Sequence, residues 1–131
     1  IVLAGWMRIL TMNFLGWVPN RVINLYPALP GELTGTNAIE RAWEQAVAGE
    51  RTASGVMVHL VPDEGVDDGP VLGTAHVPID LSAGFEAFAT AMHATEHDLL
   101  VSVLASLIAP DAVPDAAPHE TQPPHTPSIN T

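Results

Sequence analysis

The sequence predicts an α/β domain: a mostly parallel sheet with flanking helices, closed by a long C-terminal helix. Three observations carry that expectation. Short apolar runs recur at 1–5, 21–25 and 54–61, as buried strands do. Segments of helical period separate or follow them, giving a strand–helix–strand–helix–strand order. The connections are rich in proline and glycine, which break regular structure.

Taken in order, Ile1-Val2-Leu3-Ala4 reads as a buried parallel strand. A sheet that opens on such a strand implies earlier strands, so the chain reads as the C-terminal part of a longer domain. Residues 11–17 suit a short helix and 21–25 a second apolar strand. Pro27, Pro30, Gly31 and Gly35 mark a loop over 26–36. Ala38, Ala42, Trp43, Ala46 and Val47 then recur at helical spacing. Asn37 is a candidate N-cap, paired with Glu40 in box-like fashion, and Gly49 a candidate C-cap. SGVMVHLV is a third strand, PDEGVDDGP an acidic turn, and PVLGTAHVPI a fourth extended segment that returns from it.

Ser82 is expected to open the long helix. Phe85, Phe88, Met92, Leu99, Leu100, Val103 and Leu107 fall mostly on one face of it. The domain therefore runs over 1–108. The 109–131 tail is proline-rich, lacks apolar period and is expected to be disordered.

Composition narrows the function classes. Hydrophobic residues make up 47% of the 131, enough for a core. Net charge is −11, with four arginines and no lysine, which disfavours nonspecific nucleic-acid binding. The absence of cysteine excludes disulfides, thiolate metal sites and a cysteine nucleophile. No apolar run reaches the roughly 18 residues of a membrane span, and no signal peptide is visible. A cytoplasmic protein, monomer or homodimer, with small-molecule substrates is the expectation.

In parallel sheets, ligands gather beyond the carboxyl ends of strands. That places WMRIL, NLYPALPG and the acidic turn together. Asn24 interrupts an apolar strand. Its amide either caps the following loop or donates to a developing oxyanion. Asp63, Glu64, Asp67 and Asp68 form a solvated turn or, through Asp67, present a proton acceptor at a cleft. His59 reads as a hydrogen-bonded strand residue that braces Asp67 across the loop. Arg8 is either a surface cation or part of a pocket for a flat ligand, with Met7, Ile9 and Leu10. His93 and His97 have zinc-compatible spacing, but a third ligand and the HExxH order are missing, so no metal is expected. His119 and His125 in the tail carry no site.

The segments LAGWMRIL, INLYPALPG, GTNAIERAW, GVMVHLV, DEGVDDGP and TEH, in this order over about residues 1–108, resemble phosphoribosylglycinamide formyltransferases. The resemblance implies the C-terminal part of a Rossmann-like formyltransferase fold. It implies transfer of a formyl group from the co-substrate 10-formyltetrahydrofolate to the amine of glycinamide ribonucleotide, in purine biosynthesis. It implies catalytic roles at Asn24, Tyr26 and Asp67, with His59 in support. Met7, Arg8, Leu10, Glu64, Gly65, Val66 and Asp67 fall where the family binds folate. Asn24, Leu25, Pro27, Gly35 and Glu96 fall where it binds the nucleotide substrate.

Three departures stand out. Tyr26 occupies the place of the family's catalytic histidine, and a phenol titrating near ~10 is a poor proton shuttle at neutral pH. The stretch from His59 to Asp67 is one residue longer, with Pro62 as the insertion. The family's glycine-rich phosphate loop belongs to the N-terminal half, which this chain does not contain. Two other readings stay open: Tyr26 supports a folate-binding protein that retains the fold without the chemistry, and the exposed edge of half a doubly wound sheet supports a fragment that does not fold alone.

Overall fold

A computed structural model describes residues 1–6, 8–65 and 69–109. The expected disordered tail beyond Ala109 lies outside them, as do Met7, Val66, Asp67 and Asp68. Among the described residues, four strands and three α-helices follow one another as β1 (Val2–Ala4), α1 (Met12–Leu15), β2 (Ile23–Tyr26), α2 (Ala38–Val47), β3 (Ala53–Leu60), β4 (Val71–Pro78) and α3 (Phe85–Ile108). The strands form one sheet in the order β1-β2-β3-β4.

The expected mostly parallel sheet is corrected. Only β1 and β2 are parallel, with Leu3 opposite Asn24. β3 runs antiparallel to β2, and β4 antiparallel to β3. A helix between two strands can serve as the crossover that parallel neighbours require, but it does not compel parallel pairing. Here a loop over 27–37 precedes α2, and the chain returns with β3 antiparallel to β2.

β3 is the central element, buried from Ser54 to His59. Its alternation divides the core. Val58 packs with Ile23 and Val103 on one face, and Val56 with Val77, Phe88 and Met92. Met57 packs with Tyr26, Ala28 and Ala38. Helix α3 seats closely on β4, where a Cβ added to Gly73 would lie 3.0 Å from Val103 Cγ2 and 3.2 Å from Leu99 Cδ1. Trp43 joins α2 to α3, with its ring 5.8 Å from Phe85 and 6.0 Å from Phe88. The register of β3 with β4 slips between Val58 and His59, a bulge beside the candidate site.

Helix ends differ from expectation in two places. Asn37 is the N-cap residue of α2, but it adopts a left-handed conformation and its side chain makes no cap hydrogen bond. The other end of α2 closes as expected around Gly49 (φ 79°): Gly49 N donates to Ala46 O and Glu50 N to Gln45 O. Ser82 does not open α3. It lies in a short 3-10 turn, Leu81–Ala83, capped by Asp80, and α3 begins at Phe85 after Gly84. Of the stripe on α3, Phe88, Met92 and Val103 are buried, while Leu107 in the last turn is 53% exposed. β1, expected to be buried, is exposed at Val2 and Ala4, because it forms the edge of the described sheet.

Candidate active site

The end of β2 opens into a cleft of about 510 Å3, within the range of roughly 300–1,000 Å3 usual for small-molecule sites. Its floor comes from β1 and β2 (Leu3, Ala4, Asn24, Leu25, Tyr26) and from His59 and Val61 at the end of β3. One wall is the segment after β1, with Trp6, Arg8, Ile9 and Leu10. A second is the loop before α2, with Pro27, Gly35, Thr36 and Asn37, and α2's own Ala38 and Ile39. Asp63 and Gly65 of the acidic turn, and His93 and Glu96 of α3, complete the rim.

The antiparallel register explains the floor. Asn24 stands directly opposite His59, and both point away from the face that holds Ile23, Leu60 and Val103. Asn24 Nδ2 lies 3.3 Å from His59 Nε2, and His59 Nδ1 lies 2.9 Å from the Leu60 carbonyl oxygen. A carbonyl only accepts, so Nδ1 carries a proton, and in the neutral ring Nε2 then offers its lone pair to the Asn24 amide. The backbone thus sets the tautomer, and the tautomer sets which end of Asn24 faces the ring. Asn24 is half-buried and His59 is 2% exposed, so this pair is held in a largely dry setting.

Tyr26 is buried, and its hydroxyl turns to the loop before α2. It donates toward the carbonyls of Leu33 and Gly35, the latter at 2.8 Å. Glu64, expected near folate, accepts from the Met12 backbone N–H at 2.9 Å and so ties the acidic turn to the start of α1. Gly65 N donates to Asp63 Oδ1 at 2.8 Å, tightening the same turn. Glu96, mostly shielded from solvent, lies 3.0 Å from His93 Nδ1.

The structure therefore gathers Asn24, Leu25, Tyr26, Pro27, Gly35, His59, Gly65, Glu96, Arg8 and Leu10 around one cleft. Glu64 is not among its lining residues. Met7, Val66 and Asp67 lie outside the described residues. Among the described lining residues Arg8 is the one cation, and Asp63 and Glu96 the acids. No cluster of three potential metal ligands occurs among the described residues. No helix among them is long and apolar enough to cross a membrane.

Sequence reasoning passed over Thr36 and Arg41, and weighed His93 only as a zinc ligand. Arg41 had a signal: a cation near the start of a helix opposes the dipole, so its charge is directed elsewhere. His59 was expected to brace Asp67, which lies outside the described residues; the described contacts of His59 are to Asn24 and Leu60. The Asn24–His59 pairing is hidden while β2 and β3 are taken as parallel.

Comparison with known proteins is consistent with this geometry. The family profile described as formyl transferase matches residues 1–104. A phosphoribosylglycinamide formyltransferase of Schizosaccharomyces pombe is 43% identical over 109 residues, 79% of this chain and 51% of that protein. One from Dictyostelium discoideum is 42% identical over 106 residues, 77% of this chain and 51% of that protein. Among solved structures, a phosphoribosylglycinamide formyltransferase from Bacillus halodurans superposes with a TM-score of 0.72 at 35% identity, covering 82% of this chain and 53% of that one. The chain thus spans about half the length of these relatives.

Proposed function

The chain belongs to the formyl transferase family, and from that premise we propose that the protein transfers a formyl group from 10-formyltetrahydrofolate to the amine of glycinamide ribonucleotide. The observation that carries this reading is the Asn24 amide at the floor of the cleft, its orientation fixed by His59. Formyl transfer to an amine develops negative charge on the formyl oxygen, and an N–H donor held in place beforehand stabilises that charge. Asn24 is the donor assigned to it. Asp67 is assigned as acceptor of the proton that leaves the amine.

The reduced folate supplies the formyl group. Its flat ring fits the wall of Trp6, Ile9 and Leu10, which is apolar and open to the cleft, with Arg8 at its margin. Met7, Gly65, Val66 and Asp67 are assigned to the same binding region, and Glu64 supports it through α1. Leu25, Pro27, Gly35 and Glu96 are assigned to the nucleotide side. The family's phosphate-holding glycine-rich loop is assigned to the part of the relatives' length that this chain does not span.

The test is formyl transfer by the intact protein, followed by the absorbance change of the folate product. Replacing Asn24 by Ala is expected to lower kcat roughly 10²–10³-fold, the usual effect of removing one oxyanion donor, with a smaller change in KM. Saturable binding of reduced folate without any turnover would overturn the transferase reading in favour of a folate-binding protein.

A further inference from the structure

Helix α2 carries a cation close to its N-terminus, where helices favour anions. The side chain of Arg41 turns back over the preceding loop. Its Nη2 donates to the carbonyls of Leu33 at 2.6 Å and Thr34 at 2.8 Å, and its Nε donates to that of Thr36 at 3.0 Å. Tyr26 reaches the same loop from β2, with its hydroxyl directed at the carbonyls of Leu33 and Gly35. Two side chains on different elements thus collect the carbonyls of residues 33 to 36.

Four successive carbonyls are gathered this way only with an unusual backbone. Leu33 has φ 48°, Gly35 97° and Asn37 56°. A left-handed Leu is strained, and such a residue persists where the surroundings hold it. The same loop is also a wall of the cleft, since Gly35, Thr36 and Asn37 line it.

We propose that Tyr26 and Arg41 form a clamp that sets loop 33–37 in the shape that receives the amine substrate, both acting as positioning residues. The residue types suit the task. A guanidinium is a rigid fork of donors with no acceptor, matched to a row of carbonyls, whereas an ammonium is a single point. A phenol has one proton, and Tyr26 directs it to the loop rather than to the reacting oxygen. The name of the ligand rests on the formyl-transfer reading; the clamp itself is a property of the loop.

Hydrogen exchange and steady-state kinetics of the intact protein test this with Tyr26→Phe, Arg41→Met and Arg41→Lys. Tyr26→Phe and Arg41→Met are expected to speed exchange of amides 33–37 roughly tenfold, with amides 54–59 of β3 unchanged and Arg41→Lys between. The KM for glycinamide ribonucleotide is expected to rise about tenfold, with kcat within about threefold of the parent. Unchanged exchange at 33–37 in both Tyr26→Phe and Arg41→Met overturns the clamp. So does a fall in kcat at constant KM in Tyr26→Phe, which makes the phenol a donor to the reacting atoms. If the parent protein shows no formyl transfer, that reading fails while the exchange result still decides the clamp.

Discussion

Gly55 is a position where adding one methyl group has a clear structural penalty. It lies in the buried middle of β3, opposite His76 of β4. A Cβ there would stand 2.5 Å from the Ala75 carbonyl oxygen, 2.5 Å from Leu29 Cδ2 and 2.8 Å from Leu29 Cγ. Real Cβ atoms stay at least 3.0 Å from such neighbours, so both must retreat by about half an ångström. Ala75 is backbone within the β3–β4 ladder and cannot yield alone. Leu29 belongs to the loop that leads toward the cleft. Overpacking of this kind costs about 1–3 kcal/mol. Replacing Gly by Ala also gains about 0.4–1 kcal/mol by narrowing the unfolded ensemble. Gly55→Ala is therefore expected to lose about 1–2 kcal/mol, a fall in Tm of roughly 3–10 °C for a domain near this size. Urea titration of the parent protein, Gly55→Ala, Leu29→Ala and the double variant separates the two clashes. The double variant should be more stable than the sum of the singles by about 0.5–1 kcal/mol, since Leu29→Ala removes one of them. An unchanged or raised midpoint in Gly55→Ala would refute the close approach of β3, β4 and Leu29.

Two further outcomes follow from groups away from the cleft. Ser54 is fully buried and its hydroxyl has no hydrogen-bond partner in the described structure. Ser54→Ala is therefore expected to be neutral or to stabilise by about 1 kcal/mol in the same titration, and a loss above that size would point to a partner for the hydroxyl. Asp80 accepts from the Ser82 hydroxyl at 2.6 Å and the Ser82 N–H at 2.9 Å, which hold its carboxyl below the ordinary aspartate range. A lowered folded-state value means the stabilisation is complete above the ordinary range and fades as pH falls through the lowered value. The difference in Tm between the parent and Asp80→Ala should accordingly shrink as pH is lowered from 5 toward 2; a difference that widens on acidification contradicts this cap.

Much of the fold was legible because its signals are local. The apolar period of α2, Gly49 at its end and the Val56-Met57-Val58 run of β3 each name their own structure without reference to distant residues. Strand direction was not legible, because it depends on the path of loop 27–37, and sequence period says nothing about where a loop leads. That one ambiguity concealed the site's central contact, since Asn24 meets His59 only in the antiparallel register. The cluster of loops around the cleft was legible through Asn24, Tyr26 and the acidic turn, which are polar interruptions in apolar surroundings. The clamp was not, because Arg41 sits among helical residues whose period explains their faces but not where a long side chain reaches back. Ser82 failed as a helix start for a similar reason: Asp80 two residues earlier takes its N–H and hydroxyl, and the 3-10 turn so formed comes before the helix.

The chain of contacts from the Leu60 carbonyl through the His59 ring to the Asn24 amide also makes the site spectroscopically readable. The protonated nitrogen is Nδ1, so nitrogen-15 shifts of His59 should distinguish it from a histidine carrying its proton at Nε2. The two protons of the Asn24 side-chain amide are inequivalent, one facing a ring lone pair and the other not. A change in where the ring sits would register at those amide protons, and the cleft could be followed without attaching a probe.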